Sequence, residues 1–255
     1  MFAVVSDIHS NLEAMEAVLK DMQRHKPDEI YCTGDIVGYG PSPEEIVDIA
    51  REKFKFTVMG NHEWAVLHQP VGFNQAARDA SRWTREVLEP KWFNLGGKRE
   101  RWSFLKSLPE VYIEGKYFFV HGSPQSHMEE YLLPTEIDEV LKEASPKINA
   151  AFDAIEWVCF NGHTHHPGIM TQEPRFVYPH QIEGSFRLEE GKKYIVNVGS
   201  VGQPRDGDPR ACYVTVDDHT VTYHRVEYDL EATIARVKQN SRLHPALGER
   251  LRKGS

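Results

Sequence analysis

Residues 2–35 read FAVVSDIHSNLEAMEAVLKDMQRHKPDEIYCTGD, and their pattern decides the fold class. Phe2 to Ser6 is an apolar run of strand length, and Glu29 to Thr33 is another. Between them Leu12, Met15, Val18, Leu19 and Met22 recur at helical spacing, so a helix is predicted from Leu12 to Arg24 with Ser10 or Asn11 as its cap. Strand, helix and strand at this spacing predict a parallel pair joined by a right-handed crossover. A second unit follows, with a helix from Ser42 or Pro43 to about Ala50 and a strand from Phe54 to Met59. The class is α/β.

Residues 64–109 break this rhythm. They favour helix and are rich in aromatics (Trp64, Phe73, Trp83, Trp92, Phe93, Trp102, Phe104), and Asn94-Leu95-Gly96-Gly97 divides them. We read a helical insertion flanking a site, with the aromatics at core spacing. Strand patterns return at Val111–Glu114, Tyr117–Val120, Trp157–Phe160, Tyr194–Val198, Ala211–Val216 and Thr220–Val226, the later ones close enough for antiparallel pairing. After Asp229 the sequence is helical, charged and interrupted by Pro245, with no chemical motif. The organisation expected is one domain over 1–255, with 64–109 inserted and 229–255 as a tail.

Composition sets limits. The 255 residues are 40% hydrophobic and 27% charged, ordinary values for a chain that folds on its own core. The net charge of −8 excludes tight non-specific nucleic-acid binding but not a small anionic substrate that meets a local cation. Cys32, Cys159 and Cys212 are odd in number and widely spaced, so no disulfide framework is expected. The N-terminal residues lack a basic leader and no apolar run reaches membrane-spanning length, which predicts a cytoplasmic protein with no membrane partner.

Chemistry concentrates where the strands end. Asp7 and His9 are two apart, a spacing that projects both to one side of extended chain. Gly34-Asp35 closes the second strand and sets another carboxylate beside Asp7. Two neighbouring carboxylates repel, and a divalent cation removes that penalty. Gly60-Asn61-His62-Glu63 adds an amide oxygen and an imidazole, His62 projecting differently from Asn61. His121-Gly122 and Gly162-His163-Thr164-His165 bring further imidazoles, the last pair again two apart and able to address two neighbouring cations. No serine or cysteine nucleophile motif competes with this reading.

Taken together, these five blocks resemble the calcineurin-like metallophosphoesterase superfamily, in that family's order. The longer forms GDIVGYGPSP (34–43), HGSP (121–124) and GSVGQPRD (199–206) are similar to its small bacterial and archaeal phosphodiesterase-like branch. The resemblance implies a four-layer αββα sandwich of two mixed sheets flanked by helices. It also implies that Asp7, His9, Asp35 and His165 hold one divalent cation and that Asp35, Asn61, His121 and His163 hold another, with Asp35 bridging. Manganese is the first expectation, with iron, zinc, nickel, cobalt and magnesium as alternatives. His62 would act on the substrate, and a metal-bridging hydroxide would attack phosphorus. Glu63 stands where the family more often has aspartate.

The function expected is hydrolysis of a phosphodiester in a small or nucleotide-like substrate. A phosphomonoesterase, a phosphoprotein phosphatase and a non-catalytic protein-binding scaffold are the competing readings, and the sequence is compatible with a homo-oligomer. Arg205, Tyr39 and Asn11 are assigned to substrate binding, against the plainer reading of Arg205 as a surface partner of Asp206 or Asp208 and of the other two as solvated loop residues. The remaining histidines are expected in ordinary roles, with His68 and His127 the first exceptions to check.

Overall fold

The structure, a computed structural model, describes residues 1–92 and 97–255. The expected dividing loop at 94–96, and Phe93, lie outside the described residues.

The first strand, β1 (Phe2–Val5), runs parallel to β2 (Glu29–Cys32), with Val5 opposite Cys32, and α1 (Leu12–His25) crosses between them. Asn11 is the residue that caps α1, its side-chain oxygen accepting from the Ala14 N–H. After α2 (Pro43–Lys53), only Phe56–Thr57 pairs as β3, because Phe54 is spent terminating the helix. The 64–109 region holds α3 (Asn61–Leu67), α4 (Gln75–Leu88) and α5 (Gly97–Ser107). Helix α3 begins three residues earlier than the expected insertion, so Asn61 and His62 form its first turn.

A second sheet starts with the antiparallel pair β4 (Val111–Glu114) and β5 (Tyr117–Val120). A short hairpin, β6 (Ile137–Asp138) and β7 (Glu143–Ala144), leads into α6 (Pro146–Asp153) and then β8 (Val158–Asn161). Strands β9 (Gly168–Thr171), β10 (Arg175–Val177) and β11 (Ser185–Arg187) precede β12 (Tyr194–Asn197), β13 (Ala211–Asp217) and β14 (Thr220–Val226). The elements from β6 to α6 and from β9 to β11 are not expected from sequence. The strands among them, of two to four residues, and the two-turn helix α6 carry too little periodicity to read. Helices α7 (Leu230–Gln239) and α8 (Ala246–Glu249) close the described chain, followed by a 3-10 turn over Arg250–Lys253.

The strands form two six-stranded mixed sheets, ordered β11-β14-β13-β1-β2-β3 and β10-β9-β12-β8-β5-β4. Alternation along the strands assigns their faces. Val4, Tyr31, Phe119, Phe160, Val196 and Val214 meet in a core between the sheets, whereas Ala3, Val5 and Cys32 turn outward onto Met15, Val18 and Ile46 of α1 and α2. Val120, Cys159 and Ile195 turn the other way onto Ile148 and Phe152 of α6. The result is the four-layer αββα sandwich. The inter-sheet core holds the two sheets in register, and truncating Phe160 there to alanine is expected to cost about 3–5 kcal/mol. A smaller cluster of Ala80, Val237, Leu243 and Leu247 docks the C-terminal helices on α4.

Candidate metal centre

All the chemically notable blocks follow the C-terminal ends of parallel strands, three in one sheet (β1, β2, β3) and two in the other (β5, β8). Their convergence does not use extended chain. Strand β1 ends at Val5, and Asp7 and His9 both have left-handed backbone (φ 51° and 48°), as do Asp35 (52°), His163 (66°) and His165 (61°). Each such residue costs of order 1–3 kcal/mol and persists only where its surroundings enforce it. Here the enforcement is visible. The Asp7 carbonyl accepts from Gly202 N–H at 2.9 Å and Ser200 Oγ at 2.8 Å, and Asp7 N–H donates to the Gly34 carbonyl at 3.0 Å. Asn197 Nδ2 donates to the Gly162 carbonyl at 2.6 Å and so fixes the loop of His163 and His165. Buried Glu63 accepts from the N–H groups of Asp35 (2.8 Å), Gly60 (2.9 Å) and Val37 (3.0 Å), which ties the Asp35 loop to α3.

The side chains fall into two adjoining clusters. In one, Asp7 Oδ1 lies 3.2 Å from His165 Nε2 and 3.7 Å from His9 Nε2. In the other, Asp35 Oδ2 lies 3.2 Å from His121 Nε2, which is 3.1 Å from Asn61 Oδ1, and His163 completes the group. Asp35 Oδ2 is also 3.8 Å from His9 Nε2, so this one carboxylate borders both clusters. All seven residues expected as ligands meet in one place.

The donor set fits divalent cations on two observations. Asp7 Oδ1 is buried with no hydrogen-bond partner, a costly state for a carboxylate oxygen unless it faces a cation. The imidazoles are oriented from behind: Nδ1 of His9, His121 and His165 faces the carbonyls of Val37 (3.2 Å), Thr33 (2.9 Å) and Gln203 (2.5 Å). That arrangement leaves Nε2 as the free nitrogen. His9 Nε2 and His165 Nε2 then confront each other at 3.2 Å, two lone pairs that repel unless a cation or proton lies between them. His163 is reversed, its Nε2 facing the Glu129 carbonyl at 3.3 Å and its Nδ1 left for a ligand.

Electrostatics follow from burial and pairing. Burial would raise the Asp7 carboxyl, but facing His165 overrides it and holds the group well below the usual carboxylate range. Asp35 is likewise held low against burial, by His121 and His62. Burial opposes charge on His121 too, yet the Asp35 carboxylate carries it up to about 9. Burial dominates at His9 and His165, which are pushed down, and at His163, which falls to about 3.

His62 stands over this centre with Nε2 4.0 Å from Asp35 Oδ2, its own backbone N–H bound to Asp35 Oδ1 at 2.9 Å. Its ring is boxed by Tyr39 (4.4 Å), His9 (4.7 Å) and Phe73 (4.7 Å). Gly38 closes the remaining side: a Cβ there would lie 2.1 Å from His62 Nδ1, and its φ of 91° already favours glycine. Burial lowers His62 to about 4, so the resting ring is neutral, where its ordinary pKa of about 6.5 would leave it partly charged at neutrality.

A cavity of about 280 Å³ opens above the centre, lined by Asp35, Asn61, His62, His163 and His165, with Tyr39, Phe73, Tyr131, Arg205 and Arg250 forming its walls. A neighbouring cavity of about 250 Å³ continues past Phe73 and Tyr131 to Trp64 and Val71. A larger space of about 610 Å³ beside α4 holds Arg78, Arg82 and Arg85 but none of the cluster residues. Arg205 and Tyr39 therefore face the expected site. Asn11 does not, because it is buried as the cap of α1, with Nδ2 donating to the Gly202 carbonyl at 2.9 Å. Arg205 forms no pair with Asp206 or Asp208, which serve Arg225 and Arg210 instead. His68 stacks on Trp64, and His127 pairs with Glu110; neither lines the cavity above the centre.

Arg250 and Tyr131 were missed from sequence. The tail's sequence carries no chemical motif, and no local pattern marks an arginine whose partners are 45 residues or more away. A further cluster, Asp21, His25 and His224, also escaped notice, but Asp21 is engaged by Tyr213 and Arg24, and His224 Nε2 lies 2.8 Å from the Thr215 hydroxyl.

The calcineurin-like phosphoesterase family model matches residues 1–196, which include all seven cluster residues and His62. The chain belongs to that family. This phosphoesterase is 40% identical to an uncharacterised protein of Methanocaldococcus jannaschii over 98% of the chain and 97% of the relative. It is 36% identical to a solved metallophosphoesterase from Sphaerobacter thermophilus, with a TM-score of 0.79 over 100% of this chain and 98% of that one. A hypothetical protein of Pyrococcus horikoshii, 20% identical, shares the fold with a TM-score of 0.76 over 100% and 99% of the two chains. The phosphoesterase is thus a metal-dependent phosphoric ester hydrolase by family, and no described helix is long and apolar enough to cross a membrane.

Proposed function

We propose that this phosphoesterase hydrolyses phosphodiester bonds in small, nucleotide-like substrates with two divalent cations. Asp7, His9, Asp35 and His165 would hold one and Asp35, Asn61, His121 and His163 the other. The observation that carries the reading is the place of Asp35 Oδ2, 3.8 Å from His9 of one cluster and 3.2 Å from His121 of the other. When bound, such cations lower the pKa of water towards neutrality and neutralise charge growing on the phosphoryl oxygens. The mixed imidazole, carboxylate and amide set suits manganese, iron, cobalt, nickel or zinc better than magnesium, which prefers oxygen alone. Manganese is our first choice.

The chain's own groups supply the rest. His62, boxed by aromatic rings and neutral at rest, donates a hydrogen bond to the charge growing on the departing oxygen, an effect of roughly 100- to 1,000-fold. Tyr39 and Arg205 orient the ester, and Phe73, Tyr131 and Trp64 offer apolar walls for a planar leaving group. The cavity volume sits at the small end of ligand sites, which favours a small molecule over a folded phosphoprotein. Three buried free thiols support a cytoplasmic address.

The test is turnover of bis-p-nitrophenyl phosphate and p-nitrophenyl phosphate by protein loaded with manganese. The diester should be the better substrate, and His62→Ala should lose at least 100-fold in kcat while keeping its metal. Absence of turnover with manganese, iron, cobalt, nickel and zinc alike would end this reading.

A further inference from the structure

We propose that Arg205 and Arg250 together form a subsite for a second, terminal phosphate of the substrate, and that the C-terminal turn exists in part to supply half of it. This proposal rests on the hydrolytic reading above. Both guanidinium groups line the cavity over the metal cluster. Among the described residues neither pairs with an aspartate or glutamate: Arg205 donates to Gln203 Oε1 at 2.8 Å, and Arg250 Nε to an oxygen of Ser255. The carboxylates nearest Arg205 in sequence are committed elsewhere, Asp206 to Arg225 and Asp208 to Arg210.

Two cations that face one cavity with no aspartate or glutamate between them repel. Partial burial, and after it the charge of Arg205, holds Arg250 below its ordinary pKa, and Tyr39 feels both arginines. Tyr39 also touches His9 and His62 at 4.7 and 4.4 Å, so the arginine pair is one side chain away from the reaction centre. A carboxylate would offer one negative charge to this pair, whereas a terminal phosphate at pH 7 offers about −1.5 to −2 and three acceptor oxygens. Arginine's planar fork suits those oxygens.

The arrangement is built, not incidental. The turn after Arg250 is fastened to the loop of Arg205 by Gly207 N–H donating to the Gly254 carbonyl at 2.9 Å. Gly254 has φ 59°, and a Cβ on it would lie 2.8 Å from the Asp208 backbone. Only glycine lets the turn seat there, and its seating sets where Arg250 points.

The experiment compares two esters differing in one group: thymidine 5′-(p-nitrophenyl phosphate) and the same compound phosphorylated at its 3′ hydroxyl. For the manganese-loaded protein, kcat/KM should be roughly 10- to 100-fold higher for the phosphorylated ester, mainly through KM. Arg250→Gln should bring that ratio to within about threefold of one, and Gly254→Ala should lower it in the same direction, while Arg250→Lys keeps part of it. A ratio near one in the parent protein, or an undiminished ratio in Arg250→Gln, overturns the proposal. If neither ester is cleaved, the hydrolytic reading fails separately. Equilibrium dialysis of thymidine 3′,5′-bisphosphate then decides the subsite: tenfold weaker binding by Arg250→Gln upholds it, and equal binding refutes it.

Discussion

The two sheets bring different chemistry to the same place. The first supplies both carboxylates and the amide, from the loops after β1, β2 and β3. The second supplies only imidazoles, His121 after β5 and His163 and His165 after β8. Every close carboxylate–imidazole pair at 3.2 Å, Asp7 with His165 and Asp35 with His121, therefore spans the gap between sheets. Below that polar edge the sheets are joined mainly by apolar packing, with Tyr31 donating to Glu114 and Tyr223 to the Asn197 carbonyl across the gap. With the ligand sets proposed above, cation binding would also cross-link the layers, and catalysis and stability would share the same bonds.

The sharpest way to break this arrangement is Asp35→Asn, which weakens both clusters at once. Loss of several kcal/mol of transition-state stabilisation predicts a fall in kcat of at least about 1,000-fold, and elemental analysis should find fewer than two metals per chain. Full metal content with full activity would refute the shared role. Gly38→Ala disturbs only the first sheet's side: pushing the His62 ring by about 1 Å is expected to cost roughly 100-fold in kcat with metal retained.

Removing metal should separate the layers' two bonds. If cations saturate the site at about 100 times their dissociation constant, chelation withdraws about 2.7 kcal/mol, which in a chain of this size lowers Tm by roughly 5–10 °C. An unchanged Tm by calorimetry would mean the sheets need only the contacts below that edge. The smallest effect is the pH profile of the metal-free protein. His62 and His163, lowered to about 4 and about 3 by burial, take up protons first in the unfolded chain. Their contribution is full above about 6.5 and is lost as pH falls from there. His121, raised to about 9 across the sheets by Asp35, contributes fully below about 6.5 and loses its effect as pH rises to 9. Urea midpoints should peak near pH 6.5, falling on either side by about 1 kcal/mol per pH unit for each ring involved. A flat profile from pH 5 to 9 would show that these rings are as solvated in the folded chain as in the unfolded one.

The sheet-forming runs and the family were legible because apolar strands ending in Gly34-Asp35 or His121-Gly122 carry both their period and their chemistry locally. What brings Asp7 and His9 together was not. The sequence suggests pleated chain, whereas the structure uses left-handed turns held by Gly202 and Ser200, almost two hundred residues away. Asn11 was misplaced for a related reason: an asparagine at a helix start and one at a site mouth look alike until Gly202 is seen to accept its amide. Arg250 lay in a charged segment whose neighbour in space, Arg205, is 45 positions earlier. Strands β9, β10 and β11 were too short to betray themselves.

The hold that residues 200–202 exert on the Asp7 loop has a consequence for biosynthesis. Asp7 is made about 195 residues before the groups that enforce its backbone, an interval of roughly 10–40 s at ordinary elongation rates. For that interval the nascent chain carries aspartates and histidines with no enclosed pair of cation sites. On the ligand sets proposed above, metal loading would wait until residues 200–202 have been made, and a shorter nascent chain would not trap whichever ion it met first.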